Sequence, residues 1–88
     1  YRRAHTLIPG ASQTNSKRAE AYALGAYPIY VDRGEGARVW DVDGNEYIDF
    51  RCGLGPITLG YAIPEVDEAV ARQLVGGVVF SYAHPLEV

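Results

Sequence analysis

A polar stretch near the start of the chain carries the residue types best suited to hold an anionic group. It concentrates hydroxyl, amide and cationic side chains, namely Ser12, Thr14, Asn15, Ser16, Lys17 and Arg18. An arginine can hold a carboxylate or phosphate through two parallel hydrogen bonds, and the neighbouring hydroxyls could complete such a site. The composition alone leaves a second interpretation open, an ordinary solvated loop that binds nothing.

A glycine-containing turn is the second stretch that could line a site. In Cys52-Gly53-Leu54-Gly55-Pro56, two glycines flank one apolar residue. Glycine lets the backbone turn sharply and come close to a ligand or to another backbone segment. A turn that only connects two elements is the alternative for this stretch.

The other reactive side chains favour structural roles. Cys52 is the only cysteine, which excludes an internal disulfide and fits a reducing compartment. With no histidine nearby in sequence, Cys52 is expected to be a packed or partly exposed thiol. His84 stands alone before a proline, where a structural role is expected.

Two short motifs suggest ligands but lack required positions. Gly34-x-Gly36 has Val39 where a dinucleotide-binding loop needs its third glycine. Asp41-x-Asp43-x-Asn45 begins like a calcium-binding loop, but Glu46 and Cys52 occupy the positions that require glycine and glutamate. The sequence therefore predicts neither a dinucleotide site nor a metal site here.

Composition narrows the class of protein. The net charge of -3, with 8 basic residues dispersed among 11 acidic ones, disfavours nucleic acid as a partner. No apolar run approaches the roughly 20 residues that span a bilayer, and no secretion signal is present, so a soluble cytoplasmic protein is expected. Because the 88 residues include no methionine, we expect a segment of a longer protein.

These candidate residues are positioned by a predicted three-stranded antiparallel sheet. Two runs of β-forming residues, 37–42 and 46–50, flank Asp43-Gly44-Asn45, where glycine or asparagine can supply the positive φ of a tight hairpin. Residues 28–32 read as a third strand that ends before Gly34-Glu35-Gly36. A lone hairpin is marginal in water, so a third strand or a helix must cover it.

Two helices are predicted on either side of this sheet. Residues 1–8 have helix-compatible spacing and stop at Pro9-Gly10. Residues 64–75 form the clearest helix, with Pro64 in the first turn and Gly76-Gly77 at the end. Its apolar stripe, Ile63, Val66, Val70 and Leu74, is expected to pack on the sheet without taking part in chemistry.

Six motifs occur together along the chain, namely Pro9-Gly10, Gly34-Glu35-Gly36, Trp40-Asp41-Val42-Asp43-Gly44-Asn45-Glu46-Tyr47-Ile48-Asp49, Gly55-Pro56, Leu59-Gly60-Tyr61 and Pro64-Glu65-Val66. In combination they resemble the N-terminal segment of class III pyridoxal-phosphate-dependent aminotransferases, and within them the glutamate-1-semialdehyde 2,1-aminomutase-like group. The long acidic string is typical of the class as a whole rather than of one substrate.

The resemblance implies an α/β fold, with this chain as the N-terminal part of the small domain of an aspartate-aminotransferase-fold enzyme. It implies a homodimer that acts on small-molecule amines and on aldehyde or keto compounds. Residues 1–27 would be a helix end and substrate-side loop, 28–51 the sheet, and 52–88 the glycine turn, a helix and the lead-in to the large domain. Pyridoxal 5'-phosphate would be bound mainly by residues outside this chain, including the lysine that bonds to it. The only lysine here, Lys17, lies in the polar loop and is rejected for that role.

The resemblance also assigns site residues. Ser16 and Arg18 would contact the anionic or polar end of the substrate, and Leu54 and Gly55 would form part of the pocket wall. No catalytic, cofactor-binding or metal-binding residue is expected in this chain.

The substrate and the class of protein each have an alternative. Leu54 stands where true aminomutases carry a tryptophan, and the spacing of the polar loop is altered, so an aminotransferase acting on another aldehyde or keto compound, such as a sugar, fits equally well. The alternative from a different class is a non-catalytic β-rich interaction module, which would fold on its own.

Overall fold

A three-stranded antiparallel sheet lies at the centre of the computed structural model, which describes Tyr1–Val88. The strands are β1 (Val31–Glu35), β2 (Arg38–Asp41) and β3 (Glu46–Ile48), in the spatial order β1-β2-β3. Both neighbouring pairs are antiparallel. The predicted three-stranded sheet is therefore confirmed.

The hairpin between β2 and β3 is held by one buried carboxylate. Asp41 accepts hydrogen bonds from the backbone N–H groups of Asp43 at 3.0 Å and Asn45 at 2.8 Å, and from the Tyr47 hydroxyl at 2.9 Å. These bonds, and above all the one from the Asn45 side chain, hold the pKa of Asp41 below its usual range. Gly44 supplies the positive φ of +86° that the turn requires, as predicted.

The position of β1 differs from the prediction of residues 28–32. The strand runs three residues further along the chain and includes Gly34, which pairs with Val39 of β2. The sequence pattern predicts that the strand ends before Gly34, but Gly34 lies within the strand because a side chain at this position would collide with its neighbour. A Cβ atom there would lie 2.5 Å from Cγ of Tyr61, far inside van der Waals contact.

The segment around Tyr61 extends the edge of the sheet. The backbone N–H groups of Gly36 and Tyr61 each donate to the other residue's carbonyl, both at 2.9 Å. A Cβ atom on Gly60 would lie 2.8 Å from the Gly36 carbonyl oxygen, so glycine is required for this approach. The motifs Gly34-Glu35-Gly36 and Leu59-Gly60-Tyr61, which lie far apart in the chain, thus pack against each other.

Both predicted helices are present, but one prediction about their packing is wrong. α1 spans Arg2–Leu7 and α2 spans Pro64–Leu74. The expected packing of α2 on the sheet does not occur: along its stripe Val66, Val70 and Leu74 are 44%, 49% and 58% exposed. Neither helix is long and apolar enough to cross a membrane.

The chain has very little core of its own. Only Ala11, Val39 and Asp41 are buried. The radius of gyration is 15.6 Å, whereas a compact domain of this length would have about 12 Å. The apolar stripe of α2 is therefore open because the chain contains no surface that covers it.

Candidate functional site

The first four residues of the glycine turn all have positive φ angles. Cys52, Gly53, Leu54 and Gly55 have φ angles of 50°, 62°, 67° and 124°, all in the left-handed half of conformational space. Such a conformation costs a residue other than glycine about 1–2 kcal/mol, and here Cys52 and Leu54 both adopt it. Strained backbone of this kind persists only where its surroundings hold it, and it clusters at functional sites.

Asp49, just beyond β3, holds the entrance to this turn. Its Oδ1 atom accepts hydrogen bonds from the backbone N–H groups of Arg51 at 2.7 Å and Cys52 at 3.3 Å. Its Oδ2 atom accepts a 2.6 Å hydrogen bond from the Tyr61 hydroxyl. That last bond is the main reason why the pKa of Asp49 lies below its usual range and the pKa of Tyr61 rises to about 12.

The polar loop is ordered by short-range contacts. Two 3₁₀ turns, Asn15–Lys17 and Ala19–Ala21, make up its backbone. Ser16 Oγ lies 3.2 Å from Thr14 Oγ1, and both side chains face solvent. The loop is therefore a series of tight turns that presents its hydroxyl groups at the surface.

Arg18 is the cation of this loop with hydrogen-bonding capacity to spare. One guanidinium nitrogen donates to Asn15 Oδ1 at 3.3 Å, and the group lies against Gly10, where a Cβ atom would be 2.2 Å from Arg18 Nε. Arg18 forms no salt bridge within the chain. A guanidinium held on one side and unpaired with a carboxylate is suited to receive an external anion.

Tyr22 connects the polar loop to the glycine turn. Its hydroxyl donates to the carbonyl of Ser16 at 2.7 Å, and the Arg51 guanidinium lies 4.6 Å from the centre of its ring. A cation at this distance over an aromatic face is attracted to it. Tyr22 therefore links the backbone of the polar loop to Arg51, the residue just before the glycine turn, through contacts that the sequence interpretation did not include.

The remaining candidates have structural surroundings. Lys17 donates to Gln13 Oε1 at 2.9 Å on an exposed surface. Cys52 is a partly buried free thiol. His84 caps the turn Pro85–Glu87, accepting from the Leu86 N–H at 3.2 Å, and its ring stacks on Phe80. The contacts of His84 agree with the structural role expected for it.

Comparison with known proteins gives consistent matches over nearly the whole chain. The sequence profile of the family described as "Aminotransferase class-III" matches residues 21–86. The 3-aminobutyryl-CoA aminotransferase of Cloacimonas acidaminovorans is 43% identical over 88 residues, covering 99% of this chain and 21% of the relative. The glutamate-1-semialdehyde 2,1-aminomutase of Acetivibrio thermocellus is also 43% identical over 88 residues, covering 100% of this chain and 20% of the relative.

A solved structure extends the match to the fold. A transaminase determined with PLP bound superimposes with a TM-score of 0.70 at 39% identity, covering 99% of this chain and 19% of that one. The predicted α/β fold class is confirmed by this likeness. The chain spans about a fifth of the length of the relatives that it matches.

Proposed function

This chain belongs to the class III aminotransferase family, and on that premise we propose that it forms the N-terminal, substrate-facing segment of a pyridoxal-phosphate-dependent aminotransferase or aminomutase. Both activities appear in the names of its relatives. The substrates would be a small-molecule amine and an aldehyde or keto compound.

Pyridoxal phosphate is the cofactor of the proposed enzyme, and it would be bound mainly by residues outside this segment. When bound, the cofactor withdraws electrons from the substrate carbon that bears the amine, which makes the transfer possible. The reaction requires a lysine in the pocket, yet Lys17 is exposed and hydrogen-bonded to Gln13. The lysine and the rest of the cofactor site would come from the four-fifths of the relatives' length that this chain does not span.

The observation that carries the proposal is the Tyr22 bridge. The Tyr22 hydroxyl donates one 2.7 Å hydrogen bond to the Ser16 carbonyl, and its ring lies 4.6 Å from the guanidinium of Arg51, the residue just before the strained turn. In the proposed site Arg18 holds the anionic end of the substrate and Ser16 adds a hydroxyl contact. Leu54 and Gly55 form part of the pocket wall. The Leu54 side chain is 64% exposed and can therefore contact a substrate.

The proposed function also assigns a role to each segment of the chain. Residues 1–27 would serve as the substrate-side loop, 28–51 as the sheet that supports it, and 52–88 as the wall and the connection to the large domain. The open stripe of α2 leaves apolar surface for the large domain or a second subunit to cover, and we propose a homodimer. The unpaired Cys52 suits a reducing compartment, so the proposed location is the cytoplasm.

The alternative of a self-contained interaction module has less support. Such a module needs a core that stabilises it in isolation. Only three residues of this chain are buried, and one of them is the charged Asp41. The sparse core favours a segment that is stabilised by further protein.

A charge-removal experiment on the polar loop tests the proposal. In the full-length enzyme, Arg18→Ala should raise KM for an acidic substrate by about tenfold or more, since a hydrogen bond to a charged group contributes about 1.5–3 kcal/mol. Lys17→Ala is the matched control, because it also removes a positive charge from this loop. The Lys17 ammonium group already donates a hydrogen bond to Gln13. An Arg18→Ala enzyme with unchanged kcat/KM for acidic substrates would remove Arg18 from the site.

A further inference from the structure

Asp49 occupies a position from which it can control the geometry of the proposed pocket wall. It accepts hydrogen bonds from the first two N–H groups of the turn, at Arg51 and Cys52, and no other side chain bonds to the backbone of the turn. The bonds within the turn, from Leu54 to the Arg51 carbonyl and from Gly55 to the Cys52 carbonyl, are local and move with it. Apart from the long contact of the Cys52 thiol with the Asp49 carbonyl, at 3.8 Å, the Asp49 carboxylate is the side-chain link between the strained backbone and the end of β3.

Tyr61 in turn fixes Asp49. Its backbone is paired with Gly36 at the edge of the sheet, and its ring lies against Gly34, where a Cβ atom would come within 2.5 Å of it. From this fixed base its hydroxyl reaches Asp49 Oδ2 at 2.6 Å. The bond to Asp49 raises the pKa of Tyr61 to about 12, so the phenol stays a proton donor to higher pH than an ordinary tyrosine.

We propose that Asp49, held by Tyr61, is a positioning residue that keeps Cys52–Leu54 and Gly55 in their left-handed conformation and so aims Leu54 at the substrate. This inference rests on the proposed function, in which Leu54 and Gly55 line the pocket. Neither Asp49 nor Tyr61 needs to touch the substrate, since both act through the backbone of the turn. Their loss should therefore change how substrate is held rather than how it reacts.

The test compares two tyrosine–aspartate pairs in the full-length enzyme, Tyr61 with Asp49 and Tyr47 with Asp41. Tyr61→Phe removes only the hydroxyl that reaches Asp49, and Tyr47→Phe removes the equivalent hydroxyl that reaches Asp41 at the hairpin. Tyr61→Phe should raise KM about threefold to tenfold with kcat retained, the change expected when one hydrogen bond is lost. Tyr47→Phe should leave both constants at their wild-type values.

A double-substitution cycle asks whether the effect passes through Leu54. If it does, Tyr61→Phe should have no further effect on KM in a Leu54→Ala enzyme, because the side chain that the turn positions is already gone. Effects that simply multiply in the double variant, or equal KM values in Tyr61→Phe and Tyr47→Phe, would overturn the proposal.

A labelling measurement follows the turn without relying on activity. The rate at which a maleimide modifies Cys52, followed by mass spectrometry, should rise about threefold to tenfold in Tyr61→Phe and stay unchanged in Tyr47→Phe. An unchanged rate in Tyr61→Phe would overturn the positioning role alone and leave the pocket assignment standing. Faster labelling combined with a Leu54→Ala enzyme of normal kcat/KM would instead refute the pocket assignment, and with it the role of Asp49 toward substrate.

Discussion

Replacing Gly34 with alanine should loosen the sheet edge, because the new methyl group has no room. The added Cβ atom would meet three atoms of Tyr61, the closest at 2.5 Å, although the backbone of Gly34 itself is not in the left-handed region. Introducing a methyl group into a filled space costs about 1–3 kcal/mol. Displacing the Tyr61 ring also strains its bond to Asp49, worth about 0.5–1.5 kcal/mol.

One effect opposes these two. Alanine restricts the unfolded chain more than glycine does, which stabilises the folded state by about 0.4–1 kcal/mol. The expected local destabilisation is therefore about 2 kcal/mol, which corresponds to a roughly 30-fold larger population of the open sheet edge.

Amide hydrogen exchange in the full-length protein measures this opening directly. The informative amides are those of Gly36 and Tyr61, which donate to each other's carbonyls across the edge. Gly76→Ala is the matched control, because a Cβ atom at Gly76 would meet nothing closer than 3.6 Å. If Gly34→Ala leaves the protection of both amides unchanged, the steric argument is wrong.

The remaining predictions concern pH. The pKa of Asp41 is lower in the folded protein than in the unfolded chain, so Asp41 contributes its full stabilisation above the unfolded pKa and loses it as pH falls through the folded pKa. The melting temperature of Asp41→Asn should therefore fall less on acidification than that of the wild type. Tyr61 has a pKa raised to about 12, so its contribution is complete below its unfolded pKa of about 10 and is lost as pH rises through the folded value. A spectrophotometric titration should accordingly lose one late-ionising tyrosine in Tyr61→Phe, and an identical alkaline titration curve would contradict the assignment.

Features determined by neighbouring residues could be predicted from the sequence. The hairpin depends on Gly44 and on Asp41, which lie within the turn or beside it, and α2 depends on Pro64 and the spacing of its apolar residues. These signals act over a few positions, so the pattern of residue types reveals them.

Features determined by distant residues were missed or misplaced. The start and end of β1 depend on Gly34, whose role is apparent only once Tyr61 is known to lie against it. The stripe of α2 indicates a buried face but does not identify what covers it, and the expectation that the sheet would do so was wrong.

In the candidate site, too, local features could be predicted from the sequence and long-range contacts could not. The polar loop and the glycine turn were recognised from residue types, but their connection through Tyr22 and Arg51 joins positions far apart in the chain. The sequence signal for this connection was the aromatic residue Tyr22, but the spacing of residue types does not indicate which side chains it contacts. The roles of Ser16, Arg18, Leu54 and Gly55 toward a substrate stay predictions.

The visible absorption spectrum of the full-length protein mixed with pyridoxal phosphate, recorded before and after candidate amines are added, shows whether the protein is a pyridoxal-phosphate enzyme. A cofactor-dependent enzyme should develop a visible band with the cofactor, and an amine that is a substrate should shift it. A folded full-length protein that develops no such band would contradict the proposed function and favour a non-catalytic role for this segment.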